Sequence, residues 1–214
     1  MAKQFKRTRH GLTAHLEQEE RELLERLFGD VARLLVGEEE PSATPDWVAE
    51  LGLGDLALHG VGSQEALALP QDPAVARLLP DGRRGDPVGS AEFRRFTEHG
   101  LRNRKRAGLA TAQQALASWA ANPGAKQHLT LDQARAWTTA LTDVRLVLAE
   151  RMGIRTDEDA QALHERQDEA DVMEPASWLA AVYDFTTWIQ ESLTEVLLDD
   201  LPERGDGRRI PPNV

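Results

Sequence analysis

The chain has 214 residues, of which 41% are hydrophobic and 29% are charged, and its formal net charge is −11. This length suits one large domain or two small ones. No apolar stretch approaches the roughly 18 residues of a transmembrane helix, and the absence of cysteine excludes disulfides, thiolate metal sites and a cysteine nucleophile. The acidic balance argues against nucleic-acid binding through bulk electrostatics. We expect a cytoplasmic protein, because cysteine is absent and no apolar segment follows the basic N-terminus as a secretory signal requires.

The first 36 residues predict a strand pattern followed by a helix. Apolar residues alternate weakly over residues 3–16, which is compatible with a short N-terminal β-hairpin. The apolar period then lengthens to that of an amphipathic helix over 17–36. The next segment, 37–72, is rich in glycine and has no periodic apolar stripe. We expect a long loop or a mobile insertion there.

Two helices are predicted in the middle of the chain. Asp72 followed by Pro73 is typical of an N-cap and a first helical position, and it predicts a short helix over 73–79. Ser90 is predicted to cap a long helix over 91–121.

The C-terminal part of the chain predicts three further helices. Thr130 and Gln133 have the spacing of a capping box, which predicts a helix over 130–152. A short acidic helix is expected over 157–167. A last helix is expected over 178–199, with Ser177 as its cap.

These patterns together predict an all-α fold, a helical bundle of about four long amphipathic helices, with the N-terminal hairpin as its only β-structure. We expect a single helical domain over 1–200 and a disordered tail over 201–214, which has nothing to bury. The tryptophans of the long helices are expected to help to fill the core. They are Trp119, Trp137, Trp178 and Trp188.

The motifs of several enzyme and cofactor sites are missing from the sequence. None of the histidines follows a glutamate by three residues, as carboxylate-bridged metal sites in bundles require. His164 and Glu165 begin like a zincin motif, but Asp168 stands where that motif needs a second histidine. Phosphate-binding loops, dinucleotide-binding glycine patterns and a nucleophile elbow are also missing. We therefore predict a non-enzymatic protein without a metal or another cofactor.

The strongest local feature of the sequence is a cluster of cations over 94–106. At about 100° per residue, five of them fall on one side of a helix. This basic ridge consists of Arg94, Arg95, Arg102, Lys105 and Arg106. The opposite side, which carries Phe93 and Phe96, is expected to face the core. The ridge is either a solvated or internally paired face, or a partner-binding surface for an acidic protein or for nucleic acid.

Two other groups of charges have structural and functional interpretations. The segment 157–174 is strongly acidic, and it is either a solvated linker or a patch that recruits a basic partner. Asp143 and Arg145 lie in the helix predicted over 130–152, and we expect them to pair across helices near the core.

Four segments of the chain resemble an actinobacterial family known as a domain of unknown function. They are Phe5-Lys-Arg with Gly11-Leu12 before the start of the first helix, Glu92-Phe93-Arg94-Arg95 running to Leu101-Arg102, Leu141 to Leu148, and Tyr183 to Leu193. Some members are described as oxidative-stress-responsive transcriptional regulators of the AosR type. The resemblance covers roughly 1–36 and 73–200, and it rests on helix-packing patterns and not on catalytic motifs.

The resemblance implies transcription regulation in a stress response through contact with a protein partner, a sigma factor or a polymerase-associated protein. The redox-sensing members use a pair of nearby cysteines, and this chain has none, so it cannot sense oxidants through thiols. We expect neither direct DNA binding nor membrane association, and a homodimer is compatible with apolar helix faces. The alternatives are a helical adaptor or structural module outside transcription, or a small-molecule-binding protein.

Overall fold

The computed structural model describes residues 2–9, 11–36, 69–83, 85–122, 126–156, 158–159 and 175–199. These residues form a mainly helical fold with a small antiparallel sheet, which confirms the predicted class. In chain order the elements are β1 (Lys3–Thr8), β2 (Gly11–His15), α1 (Gln18–Val36), α2 (Pro73–Leu78), α3 (Pro87–Ala121), β3 (Gln127–Leu129), α4 (Leu131–Arg151) and α5 (Pro175–Leu198).

The sheet extends the predicted hairpin by one strand. Its order is β1-β2-β3, with both pairs antiparallel. Gly11 begins β2 with a φ of 137°, and a Cβ at this position would lie 2.1 Å from the carbonyl oxygen of Leu129. Only glycine therefore allows this close approach of backbones. Strand β3 was not predicted, because three residues are too few to show an alternating pattern.

The helices pack around α3 and α4. Helix α3 lies against α1 and α4, while α4 also contacts α2 and α5, and β1 lies against α5. Trp137 on α4 is fully buried at the centre of the core. Its ring meets Phe5 and Phe28 edge-on, with ring centroids 6.4 and 5.5 Å away, and it also contacts Trp119. These aromatic contacts join β1, α1, α3 and α4 in one core.

The expectation for the tryptophans is correct for three of the four. Trp119 and Trp137 are buried and Trp188 packs against the core, whereas Trp178 is 57% exposed. Trp178 shares the helical phase of buried Val182, but it stands in the first turn of α5, where most of its ring remains in solvent.

Helix α3 begins four residues earlier than predicted. Asp86 is its N-cap and accepts a hydrogen bond from the Gly89 N–H, while Pro87 occupies the first helical position. Ser90 is not the cap. It is buried inside the first turns and donates its hydroxyl to the Arg83 carbonyl at 2.6 Å. An aspartate followed by proline is the stronger start signal here, as it also is at α2.

The other helix ends lie close to their predicted positions. The capping box of Thr130 and Gln133 is present at the start of α4. Helix α5 begins at Pro175, so Ser177 lies within it and is not its cap. The loop predicted over 37–72 lies mostly outside the described residues. The same is true of the acidic helix and acidic segment, most of which fall in 160–174, and of the tail over 201–214.

Candidate functional site

The inward side of the first half of α3 carries buried charges beside apolar side chains such as Ala91 and Leu101. Arg94 is buried and forms an ion pair with Asp81, in the loop that precedes α3. One turn further along the helix, Glu98 is buried and accepts hydrogen bonds from Arg102 at 2.7 and 2.9 Å. The predicted outward ridge therefore points partly into the protein.

Arg102 also joins α3 to the end of α1. Its Nη1 donates to the Leu35 carbonyl at 3.3 Å, in the last turn of α1. The last carbonyls of a helix carry a partial negative charge, so a guanidinium stabilises this end. The same side chain thus balances the Glu98 carboxylate and caps a neighbouring helix.

Lys105 joins α3 to α4 through a buried ion pair. Its ammonium donates to Asp143 Oδ1 at 2.5 Å, and Asp143 is only 1% exposed. Burial raises the pKa of Asp143, although the hydrogen bond and the charge of Lys105 oppose this rise. The second oxygen of Asp143 and the Oε2 atom of Glu98 have no hydrogen-bond partner among the described residues. Such a pair is expected to fix the register of two helices, which favours a structural role for Lys105.

Arg145, two residues after Asp143, joins α4 to α5. It donates to Gln190 Oε1 at 2.8 Å and to the Tyr183 hydroxyl at 3.3 Å, and its guanidinium carbon lies 5.2 Å from the centre of the Tyr183 ring. The prediction of pairing across helices near the core is thus confirmed for Asp143, whereas Arg145 contacts neutral side chains of α5. Their partners are Lys105 on one side and residues of α5 on the other.

The outward side of the same half of α3 carries aromatic rings. Phe93 is 46% exposed and Phe96 is 60% exposed, so the prediction that they face the core is wrong. The Arg95 guanidinium carbon lies 4.6 Å above the centre of the Phe96 ring. We define the aromatic-basic surface by five exposed residues of this side, which are Val88, Phe93, Arg95, Phe96 and Arg104.

The five residues of the basic ridge therefore have different surroundings. Arg94, Arg102 and Lys105 are engaged in ion pairs within the fold. Arg95 is exposed on the aromatic-basic surface, and Arg106 is half-buried beside the groove between α1 and α3. The internal pairing that was one interpretation of the ridge thus accounts for three of its cations.

A comparison with models of protein families assigns the chain to one family. Residues 2–197 match the model of the family described as "Domain of unknown function (DUF2017)". The chain belongs to this family. No curated protein and no solved structure matches it.

The described part of this DUF2017 fold offers little that resembles a small-molecule site. A groove of about 560 Å³ between α1 and α3 is shallow, with Ala32, Val36, Ala107 and Ala110 on its apolar side. Within the described ranges no three His, Asp or Glu residues are grouped as metal ligands, and none of the helices could span a bilayer. His164, which the sequence analysis weighed as a zinc ligand, lies outside the described residues.

The aromatic-basic surface of this DUF2017 chain was not predicted, although the sequence contains a signal for it. The apolar stripe of the second half of α3 includes Leu109, Leu116 and Trp119, all of which are buried. Extended backwards at helical spacing, this stripe reaches Lys105, Arg102 and Glu98 and not the phenylalanines.

Proposed function

We propose that this protein is a non-enzymatic regulatory protein that acts by binding a partner of the transcription machinery. The observation that carries this proposal is the aromatic-basic surface, where Phe93 and Phe96 lie exposed on one side of α3. Exposed apolar patches rimmed by polar groups mark protein interaction sites, and aromatic and arginine side chains are enriched in such interfaces.

The pairing of the ridge cations favours a protein partner over nucleic acid. Nucleic-acid affinity depends on how many phosphates the protein neutralises with lysine and arginine. Three ridge cations are already balanced by Asp81, Glu98 and Asp143 inside the protein. Of the five ridge cations only Arg95 is exposed, in a chain whose net charge is −11.

The resemblance to the AosR-type regulators supports the assignment to transcription and to a stress response. It suggests a sigma factor or a polymerase-associated protein as the partner, in the cytoplasm of an actinobacterium. Because the chain lacks cysteine, its regulation does not use a thiol switch.

Affinity capture tests this proposal. The tagged full chain is expressed in its native host, and its partners are isolated and identified by mass spectrometry. We expect a sigma factor or a polymerase subunit, and we expect the purified chain to change the yield of run-off transcripts made with that partner. A partner set without transcription proteins, or transcript yields that do not respond, would refute the proposal in favour of an adaptor outside transcription.

A further inference from the structure

The aromatic-basic surface is one convex face of helix α3, and its apolar side chains lie in the middle of this face. At about 100° per residue, Phe96 lies between Val88 and Phe93 around the axis of α3, and Arg95 and Arg104 lie towards the two edges. These side chains share one half of the helix circumference, and the other half carries the buried residues Arg94 and Glu98. A partner that covers a convex helix face must offer a groove or a pocket.

The two phenylalanines are held in place before any partner arrives. A Cβ atom at Gly82 would lie 2.4 Å from the Phe93 ring, which shows that this ring rests directly on the backbone of the loop before α3. The Arg95 guanidinium covers one face of the Phe96 ring at 4.6 Å. Anchors that are already ordered lose less conformational entropy on binding, and this favours their use as interface residues.

The charge of this surface has the opposite sign to that of the whole chain. Arg95 and Arg104 are exposed at its edges, and the exposed acid Glu92 lies beside its residues on the same side of α3. The whole chain carries a net charge of −11. A two-fold contact of this surface with its own copy would bring like charges together, so the surface does not fit a second copy of the chain.

We infer that the aromatic-basic surface inserts Phe93 and Phe96 into an apolar groove of an acidic partner protein, whose carboxylates line the rim of the groove and face Arg95 and Arg104. This inference rests on the proposed function and specifies the chemistry of its partner. The buried rings supply most of the affinity, as aromatic anchors do at interfaces. The rim charges increase the rate of association and make it sensitive to salt.

Photo-cross-linking in the native host tests this inference with the full chain. The probe is p-benzoylphenylalanine placed at Phe96, and in a second variant at Phe93. The matched control carries the same probe at Trp178, an exposed aromatic position on α5. We expect both α3 probes to cross-link one protein at least five-fold more strongly than the control does, at a peptide with apolar residues beside aspartate or glutamate.

Charge reversal in the same cells provides the second measurement. We expect Arg95→Glu together with Arg104→Glu to reduce the cross-linked product about ten-fold, and Arg95→Lys with Arg104→Lys to retain most of it. A cross-link to a second copy, to the same chain or to nucleic acid would overturn the inference. So would a yield no higher than that of the control, or one that does not respond to charge reversal.

The outcomes separate this inference from the proposed function. If the cross-linked protein has an acidic groove but no role in transcription, the proposed function fails and the chemistry of the surface stands. If a captured transcription protein is not cross-linked from Phe93 or Phe96, the surface is wrong and the proposed function stands.

Discussion

The inward sides of the two halves of helix α3 differ in polarity. The inward side of the second half, 107–121, is apolar, with Leu109, Leu116 and Trp119 buried in the core. The inward side of the first half carries the buried residues Arg94 and Glu98, with their ion-pair partners. The position of a residue around the helix axis therefore determines whether its side chain is buried, even where that side chain is charged.

The difference shows how one rigid helix can serve both the core and a surface. Helix α3 has 35 residues, so the packing of its second half sets the rotation of its first half. That rotation turns Phe93 and Phe96 outward, although the hydrophobicity of their side chains would favour the inward side. The buried charges on the inward side are paired with charges of opposite sign, which lowers the cost of burying them.

The largest loss of stability is expected from breaking the buried ion pair between Lys105, in the first half of α3, and Asp143. Lys105→Ala leaves the Asp143 carboxylate buried without its cation. We expect a loss of roughly 3–5 kcal/mol in the free energy of unfolding, measured by urea denaturation. The double variant Lys105→Met with Asp143→Leu is the control, and it is expected to be near neutral or stabilising. A single variant as stable as the parent would show that the pair does not join α3 to α4.

A somewhat smaller loss of stability is expected from removing a buried apolar side chain in the second half of α3. Leu109→Ala removes a fully buried side chain and leaves a cavity between α3 and its neighbours. We expect a loss of about 3 kcal/mol by the same urea denaturation. The exposed Ala110→Ser serves as the control on the adjacent position, with little change expected. Equal stability of both variants would contradict the packing assigned to this half.

The pH dependence of stability distinguishes the buried acid from an acid at a helix cap. Burial raises the pKa of Asp143 above its ordinary value of 3.8. The contribution of this group to the free energy of unfolding is therefore fully present below pH 3.8, and it is lost as the pH rises through the raised pKa. We expect the stability of the parent relative to Asp143→Asn to fall over this range, in urea denaturation at successive pH values.

Asp72 provides a control, because its contribution to stability is expected to depend on pH in the opposite direction. The hydrogen bond that it accepts from Arg151 lowers its pKa below 3.8, and the backbone bond at the start of α2 acts in the same direction. Its contribution is present above pH 3.8 and is lost as the pH falls through the lowered pKa. The stability of the parent relative to Asp72→Asn should therefore rise with pH. Parallel slopes for the two variants would contradict these assignments.

The smallest effect on stability is expected on the aromatic-basic surface. Phe96→Ala removes a ring that is mostly in solvent, so we expect the free energy of unfolding to change by less than about 0.5 kcal/mol. Thermal melts followed by circular dichroism measure this change, with Leu109→Ala as the reference for a buried position. A loss comparable to that of Leu109→Ala would mean that Phe96 belongs to the core.

The sequence predicted those parts of the fold that local signals determine. The capping box of Thr130 and Gln133 and the proline start of α2 were identified correctly, because caps are decided by a few adjacent residues. The rotation of the first half of α3 was predicted wrongly. The prediction used only residues 93–106, where arginines and phenylalanines lie on opposite sides, and not the apolar stripe of the second half. Ion pairs such as Lys105 with Asp143 join residues distant in sequence, and nothing in a single sequence matches such partners.

A hydrogen bond between the two ends of the described chain has a consequence for how the protein folds. The Phe5 N–H on β1 donates to the Ser192 hydroxyl on α5 at 2.8 Å, across a separation of 187 residues. Helices α3 and α4 are close in sequence and can associate early, whereas this contact requires closure of almost the whole chain. Docking of β1 on α5 is therefore expected late on the folding pathway, and amide hydrogens of both elements should gain exchange protection together.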